Sequence, residues 1–478
     1  MYKISVVIAT FNPGNGLDTA LQSLGRQSMP SGEFEIVIVD SGSTDGTRER
    51  LAQWAPEQPN TRVVELEHSG GLAVSRNAGI ESARGEFIQF LDTDDWLGNE
   101  ALERMYRYGV KHQADVVVGK MVGIKGAVPR VLFKKSHPHA NLTEHLLIDS
   151  LSCHAMFRRE FLGQHQIRFP EGRTQVVDQT FTIRSYLMAA NVSVYSDYPC
   201  YYYAGGGARG FDSVEPSEYF EEIREAVETV TRHTEPGPLR DKLHRRWLRA
   251  EMVERMRGNK LLRQPPSRRS ELTALMREMI VSGFSQGVIA GLQPIQQLVT
   301  AMIVGDLQDD LRELARWESG VWLVCGIDRV HWEDGATIVH FHAELLDSGA
   351  PMVFQHLAGQ DMLMPPMSES ARVLLARMDA TLAVNMARAG LEVTLKEASK
   401  GAEFTVPVTV ERQRISLSAP TPGTYEERFR LRLNATATIA HNLTAGEKSV
   451  ARGGWEPKIR VRLGGWNIAS RLSTSGAS

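Results

Sequence analysis

Cysteine is scarce: among 478 residues only Cys153, Cys200 and Cys325 occur. Odd in number and far apart, they form neither a disulfide framework nor a CxxC metal pattern. They read as small buried hydrophobes of a reducing compartment. No run of 18 or more apolar residues is present, so no membrane-spanning helix is expected. The N-terminal MYKISVVIATFN runs directly into a strand-like segment without the apolar stretch of a signal peptide. A cytoplasmic location is therefore expected, with peripheral attachment at the inner face of the membrane left open. Neither sign of charge dominates, with 54 basic against 57 acidic residues and a net charge of -3. That balance gives no global signal for a polyanion and predicts no nucleic-acid partner, leaving only local basic patches. Gly (41) and Pro (21) are near average, which excludes a collagen-like or disordered chain. The 42% of hydrophobic residues suffices for several cores. At roughly 150 residues per domain, about three domains are expected.

Strand and helix signals alternate from the N-terminus to about residue 120. KISVVIAT and FEIVIVD are continuous β-branched runs, as in strands buried on both faces. The helical stretches Leu17–Arg26, Gly71–Ser82 and Glu100–His112 fall between RVVELE, GEFIQFLDTDD and ADVVVGK. This alternation predicts a mainly parallel sheet with its ligand at the carboxyl ends of the strands. Thr10–Asn12, Asp40–Ser43 and Asp92–Asp95 cluster at those ends. From Glu215 to about Glu318 the pattern is helical, broken at Pro265-Pro266. The apolar stretch Leu275–Leu307 reads as a packed helical core, or else as an amphipathic face toward a membrane or partner. Beyond Gly320 alternating segments and the turn signal Asp334-Gly335 predict one all-β sandwich, or two small ones, from about 320 to 474. The expected division is 1–213, 214–318 and 319–478.

Asp92-Thr93-Asp94-Asp95 follows the apolar strand GEFIQFL. Two carboxylates at spacing two, where a strand enters a loop, can face one small ligand. One can bind a hard divalent cation while the other accepts hydrogen bonds from a sugar or ribose. The competing reading is an acidic N-cap for a helix starting near Trp96, and Asp95 is assigned to it. Asp40 in VIVDSGSTDGT can accept from a pyrimidine N–H, or merely close an Asx-turn. Arg76 follows Gly70-Gly71 near a helix start, a setting that favours anionic ligands. In the C-terminal part His331, His340 and His342 lack the carboxylates or cysteines of a metal site, and cross-strand packing is expected.

The ordered set VVIATFN, VDSGSTDGT, SGGLAVSRNAG and FLDTDD resembles the family-2 glycosyltransferases. The resemblance implies a GT-A (Rossmann-like) α/β catalytic domain, a UDP-sugar donor, Mn²⁺ or Mg²⁺, and inversion at the anomeric carbon. On this chain it implies that Asp40 and Arg76 contact the uridine, with Thr10 and Phe11 lining its pocket. Asp92 would bind the donor's ribose or sugar and Asp94 the metal. The general base of such enzymes matches Asp178 in VVDQTF, although Val177 stands where the family often has Glu. The metal-binding His the family often carries after the Tyr201–Tyr203 run is missing, so Asp94 acts with water and diphosphate alone or Asp212 substitutes.

GEFIQFLDTDDW, KMVGIKGAVPRVLFKK, FPEG with DQTF, and SVYSDYPCYYYA are similar to the wall teichoic acid glycosyltransferases, which act on poly(ribitol phosphate). That implies transfer of GlcNAc or another hexose to an anionic cell-wall polymer. It also implies an α-helical linker and a C-terminal immunoglobulin-like sandwich that forms a homo-oligomer, a trimer. Arg130, Lys134, Lys135 and Arg209 are candidate contacts to acceptor phosphates. Rival readings are transfer to a capsular or other surface polysaccharide, nucleotidyl transfer, and a silent glycan-binding scaffold.

Overall fold

A computed structural model describes residues 2–67, 70–124, 128–173, 175–205, 211, 214–333, 336–384, 390–397, 403–406, 408–416, 424–435, 455–463 and 466–471. Arg209, Asp212 and the Asp334-Gly335 turn lie outside the described residues. The chain divides into two compact units, Met1–Arg246 and Trp247–Ser478.

The first unit is built on an eight-stranded sheet. Strands β1 (Ile4–Thr10), β2 (Phe34–Asp40) and β3 (Thr61–Glu65) pair in parallel, with β4 (Phe87–Phe90) parallel on the other side of β1. Helices α1 (Gly16–Gly25), α2 (Thr47–Trp54) and α3 (Leu72–Ser82) supply the crossovers. The two central strands are buried on both faces, as their unbroken apolar runs require. Beyond β4 the chain adds β5 (Trp96–Leu97), α4 (Ala101–Lys111), β6 (Val116–Gly123), β7 (Met156–Arg158), α5 (Arg159–Gln164), α6 (Val177–Met188) and β8 (Val192–Tyr203). The sheet order is β3-β2-β1-β4-β7-β6-β8-β5. The sheet is mixed rather than mainly parallel, because β7 inserts antiparallel between β4 and β6, and β5 is antiparallel to β8. Helices α7 (Pro216–His233) and α8 (Pro238–Trp247) complete the unit.

Helix α3 lies close against β1. A Cβ on Gly79 would meet Val7 Cγ1 at 2.2 Å, so only glycine permits this approach. Parallel register sets Thr10 beside Asp40 and Asp40 beside Glu65, which brings the polar strand ends into one row. No helix begins near Trp96. That residue opens the two-residue β5, and the next helix starts at Ala101. Asp95 is therefore not a helix cap.

In the second unit, helices Pro266–Gly283, Gln286–Ala290, Pro294–Val304 and Gln308–Gly320 form a packed bundle. Every residue from Pro294 to Ile303 is buried, so this apolar helix is core rather than a membrane-facing surface. Buried Arg257 forks onto Glu318 (2.7 Å) and also pairs with Glu254 (2.7 Å), tying the ends of the bundle together. Among the described residues no helix is long and apolar enough to cross a membrane. After Gly320 the described elements are mainly strands. Val321–Glu333 and Ala336–Asp347 pair antiparallel within one larger sheet, and a four-stranded sheet holds Gly390–Glu397 and Trp455–Leu463. His331 and His340 stack across the first pair at 5.2 Å, while His342 pairs with Asp328, as expected of packing side chains.

Candidate active site

The site is built at the carboxyl ends of β1, β2 and β4, where the loops interlock. The Asn12 N–H donates to Ser43 Oγ (2.9 Å), and the Thr44 N–H returns to Asn12 Oδ1 (2.8 Å). Asp40 is fully buried. Its Oδ2 accepts from Arg48 Nε (2.7 Å) and from the N–H groups of Gly42 and Ser43. Burial opposes its charge, but these bonds outweigh burial and hold the carboxyl below its ordinary range. Among the described residues Asp40 Oδ1 and the neighbouring Thr10 Oγ1, both buried, have no hydrogen-bond partner. Two such orphans side by side point to a polar ligand that supplies what the protein does not. Phe11, next in the chain, is 55% exposed.

Arg76 lies elsewhere in the site. On α3 and only 2% exposed, it donates from Nη2 to Asp92 Oδ1 (2.8 Å) and from Nη1 to Asp178 Oδ1. Its guanidinium also sits 5.3 Å above the Phe169 ring. Phe169 stacks on Phe181, and Phe90 meets both rings edge-on, so a buried aromatic cluster underlies the charged group. Asn77, one residue on, clasps the same segment: it donates to Phe169 O (3.0 Å) and Glu171 Oε1 (2.9 Å) and accepts from the Phe169 N–H.

Asp178 sits in the first turn of α6. No side chain of α6 caps that helix. Instead Glu222 of α7, itself buried, accepts the N–H groups of Gln175 (2.8 Å) and Val176 (2.7 Å). A carboxylate from another helix thus does the work of an N-cap and fixes where Asp178 points. The second carboxylate oxygen of Asp178 lies 3.5 Å from Cys153 Sγ. Burial pushes that thiol well above its ordinary pKa, so it stays S–H and donates.

The Asp92–Asp95 loop gives its three aspartates different surroundings. Burial raises the pKa of Asp92, but Arg76 and His154 outweigh burial and hold it well below the usual carboxylate range. His154, next to Cys153, places Nε2 3.1 Å from Asp92 Oδ2 and stacks on Tyr201 at 4.2 Å. Asp95, fully buried, accepts from the Tyr201 hydroxyl (2.7 Å) and the Ala204 N–H (2.7 Å), and burial pushes it up to about 6. Asp92, Asp95 and His154 each present a ligand atom within 4.8 Å of the others. Two of these carboxylates are nevertheless already engaged, Asp92 by a buried cation. Asp94 is half-buried, and among the described residues its carboxylate takes no side-chain partner. Burial and nearby Asp92 raise its pKa, so a divalent cation finds there a carboxylate that gains by being neutralised.

Arg130, Lys134 and Lys135 are exposed around a short 3₁₀ turn anchored by buried Leu132 and Phe133. His154, Tyr201, Arg48, Cys153 and Glu222 were not singled out as site residues from the sequence. Tyr201 lies in the aromatic run noted there, but the others carry no local pattern.

Residues 5–187 match the model of glycosyl transferase family 2. The chain belongs to that family. Residues 216–315 match a second model, the glycosyl transferase TarS linker domain. A poly(ribitol-phosphate) β-glucosyltransferase of Bacillus spizizenii is 38% identical over 202 residues, which are 42% of this chain and 32% of that one. The poly(ribitol-phosphate) β-N-acetylglucosaminyltransferase TarS of Staphylococcus aureus is 36% identical over 229 residues, 47% of this chain and 40% of its own length. The chain therefore spans only a third to two fifths of these two relatives. The crystal structure of S. aureus TarS 1-349 with UDP-GlcNAc superposes with a TM-score of 0.60 at 27% identity, over 70% of this chain and 96% of that one. The GT-A-like sheet thus falls largely within the family-2 match, and the helices from Pro216 within the linker-domain match.

Proposed function

We propose that the protein is an inverting glycosyltransferase that moves GlcNAc or another hexose from a UDP-sugar to a hydroxyl of a polyol-phosphate polymer. The observation that carries this reading is the buried Arg76 holding Asp92 and Asp178 together, beside an Asp94 that among the described residues has no side-chain partner and the unpaired atoms Asp40 Oδ1 and Thr10 Oγ1. Similarity to S. aureus TarS 1-349, crystallised in complex with UDP-GlcNAc, supports the donor, and the names of the relatives support the acceptor.

In this reading Asp40 Oδ1 accepts from the uracil N–H, Thr10 Oγ1 completes the pocket, and exposed Phe11 covers the base. Asp92 accepts hydroxyls of the ribose or donor sugar. Arg76 directs its donors at the two carboxylates and orients them. Asp178 takes the acceptor proton on the face opposite the leaving diphosphate. Asp94 would hold Mg²⁺ or Mn²⁺, which when bound would supply positive charge to neutralise a diphosphate. Arg130, Lys134 and Lys135 meet acceptor phosphates. We assign residues 1–213 to catalysis, 214–318 to the linker, and 319–478 to an immunoglobulin-like sandwich that assembles a trimer. Comparing the sedimentation of the full chain with one ending at Glu318 tests the assembly, since an unchanged oligomeric state overturns it.

The test of the function is UDP release from a panel of UDP-sugars, with Mn²⁺ or EDTA, and with or without poly(ribitol phosphate). Metal-dependent release from one donor, raised by the polymer, is expected. Release indifferent to the polymer removes the acceptor, and pyrophosphate in place of UDP removes the reaction.

A further inference from the structure

Strand β8 brings one more aromatic residue to the site. From Met121 onward its pairing with β6 is regular, Met121 with Tyr201, Val122 with Tyr202 and Gly123 with Tyr203. Successive side chains of a strand alternate, so Tyr201 and Tyr203 share one face and Tyr202 takes the other. Tyr202 accordingly stacks on Trp96 of β5 at 5.4 Å. Tyr201 turns to the site, where its hydroxyl donates to Asp95 Oδ2 (2.7 Å) and accepts the Asp92 N–H (3.2 Å). His154, bonded to Asp92, stands beside both rings of that face, 4.2 Å from Tyr201 and 6.0 Å from Tyr203.

The backbone of Tyr203 is held on both sides. Its carbonyl accepts the Ile124 N–H (2.8 Å), and the N–H of Ala204, next in the chain, bonds Asp95 Oδ1 (2.7 Å). The ring is half-buried, and among the described residues its hydroxyl has no hydrogen-bond partner. Burial, and then the charges of Asp95, Asp92, Asp94 and Asp178, raise its pKa, so the phenol stays protonated and can donate. A fixed aromatic ring with an unused donor suits a ligand hydroxyl.

The place of β8 in the sheet decides which part of the ligand that is. The uracil pocket proposed above lies at the ends of β1 and β2, whereas β8 lies beyond β4, β7 and β6. The Asp92–Asp95 loop runs from β4 to β5, which pairs with β8, so it stands between the base pocket and Tyr203. The charges that reach Tyr203 include Asp94, assigned to the metal at the diphosphate, and Asp178, assigned to the acceptor hydroxyl. In a displacement with inversion, the group between leaving diphosphate and attacking hydroxyl is the transferred hexose. We propose that Tyr203 binds that hexose, its hydroxyl bonding a sugar hydroxyl and its ring closing one side of the sugar's pocket.

This role rests on the UDP-sugar reading above, so binding of the donor is compared with binding of UDP, which lacks the hexose. Isothermal titration in Mn²⁺ uses the full chain, Tyr203→Phe and Tyr202→Phe, against UDP, UDP-GlcNAc and UDP-glucose. Tyr203→Phe keeps the ring and removes a hydroxyl that no described residue bonds, so it should fold as the wild type does. Its affinity for the UDP-sugar that the wild-type protein binds is expected to fall about fivefold, the worth of one hydrogen bond, while its affinity for UDP stays within about twofold. Tyr202→Phe, on the opposite face, is expected to leave both affinities unchanged. A UDP-sugar affinity within about twofold of wild type in Tyr203→Phe overturns the contact. So does an equal fall for UDP, or an equal fall in Tyr202→Phe, since either marks a general effect on the strand. A wild-type protein that binds neither UDP nor a UDP-sugar would count against the donor reading itself and take this contact with it.

Discussion

Arg76 and Asp178 lie 102 residues apart in the chain, yet the guanidinium of the first bonds the carboxylate of the second inside the first unit. Because Arg76 also holds Asp92, it links the residue proposed to take the acceptor proton to the residue proposed to bind the donor. Burying the cation costs desolvation, which these two carboxylates offset. Removing the cation should therefore cost both stability and activity. For Arg76→Ala we expect a loss of about 3–5 kcal/mol in stability, the usual result of breaking a buried pair. Arg76→Lys keeps the charge but not the fork, so it should fold and still transfer poorly. Chemical denaturation together with turnover checks both, and full activity in Arg76→Lys would contradict the orienting role.

Glu222 makes a different prediction, because it acts on the backbone that leads into α6. Glu222→Ala removes the acceptor of two N–H groups just before α6, at a cost of about 1–3 kcal/mol for each that is left dry. The expected signature is a fall in kcat with little change in the KM for the UDP-sugar. A KM effect alone would place Glu222 in donor binding instead.

The pH dependence of stability follows from Asp40. Its folded pKa is below its unfolded value, so its contribution is fully present above the unfolded value near 4 and is lost as pH falls through the folded one. Thermal melts across the acid range should show stability declining with falling pH, and Asp40→Asn should flatten that decline. A variant with an unchanged acid slope would show that Asp40 does not carry the effect.

Asp94 supplies the metal prediction. Asp94→Asn should weaken Mn²⁺ binding at least tenfold and lower kcat, while leaving the melting temperature of the metal-free protein near wild type. Its carboxylate supports no other side chain among the described residues, which is why little stability should be lost. Isothermal titration with Mn²⁺ and UDP measures the first effect, and unaltered affinity would move the metal to another ligand.

Much of the first unit was legible because its signals are local. Continuous β-branched runs end in Thr10 and Asp40, the apolar strand GEFIQFL leads into Asp92, and parallel register then brings those ends together. Asp95 was misread because an acidic residue after a strand looks the same whether it caps a helix or anchors a returning strand. What decides is Tyr201, 106 residues later. His154 was missed for a similar reason: it reaches Asp92 across 62 residues, through the antiparallel pairing of β7 with β4 that no periodicity announces. The mixed character of the sheet was hidden in the same short strand. Glu222 does its capping from α7, so a search for cap residues just before α6 finds only Val176.

The central claim is tested most directly by the product itself. Wild-type protein and Asp178→Asn are each incubated with UDP-GlcNAc, UDP-glucose, Mn²⁺ and poly(ribitol phosphate), and the purified polymer is examined by NMR at the anomeric proton. The account predicts a β-linked sugar on the polymer from the wild-type protein. From Asp178→Asn it predicts a rate reduced by roughly 10²–10⁴, with UDP binding retained. An α-linked product, or transfer by Asp178→Asn at the wild-type rate, would contradict it.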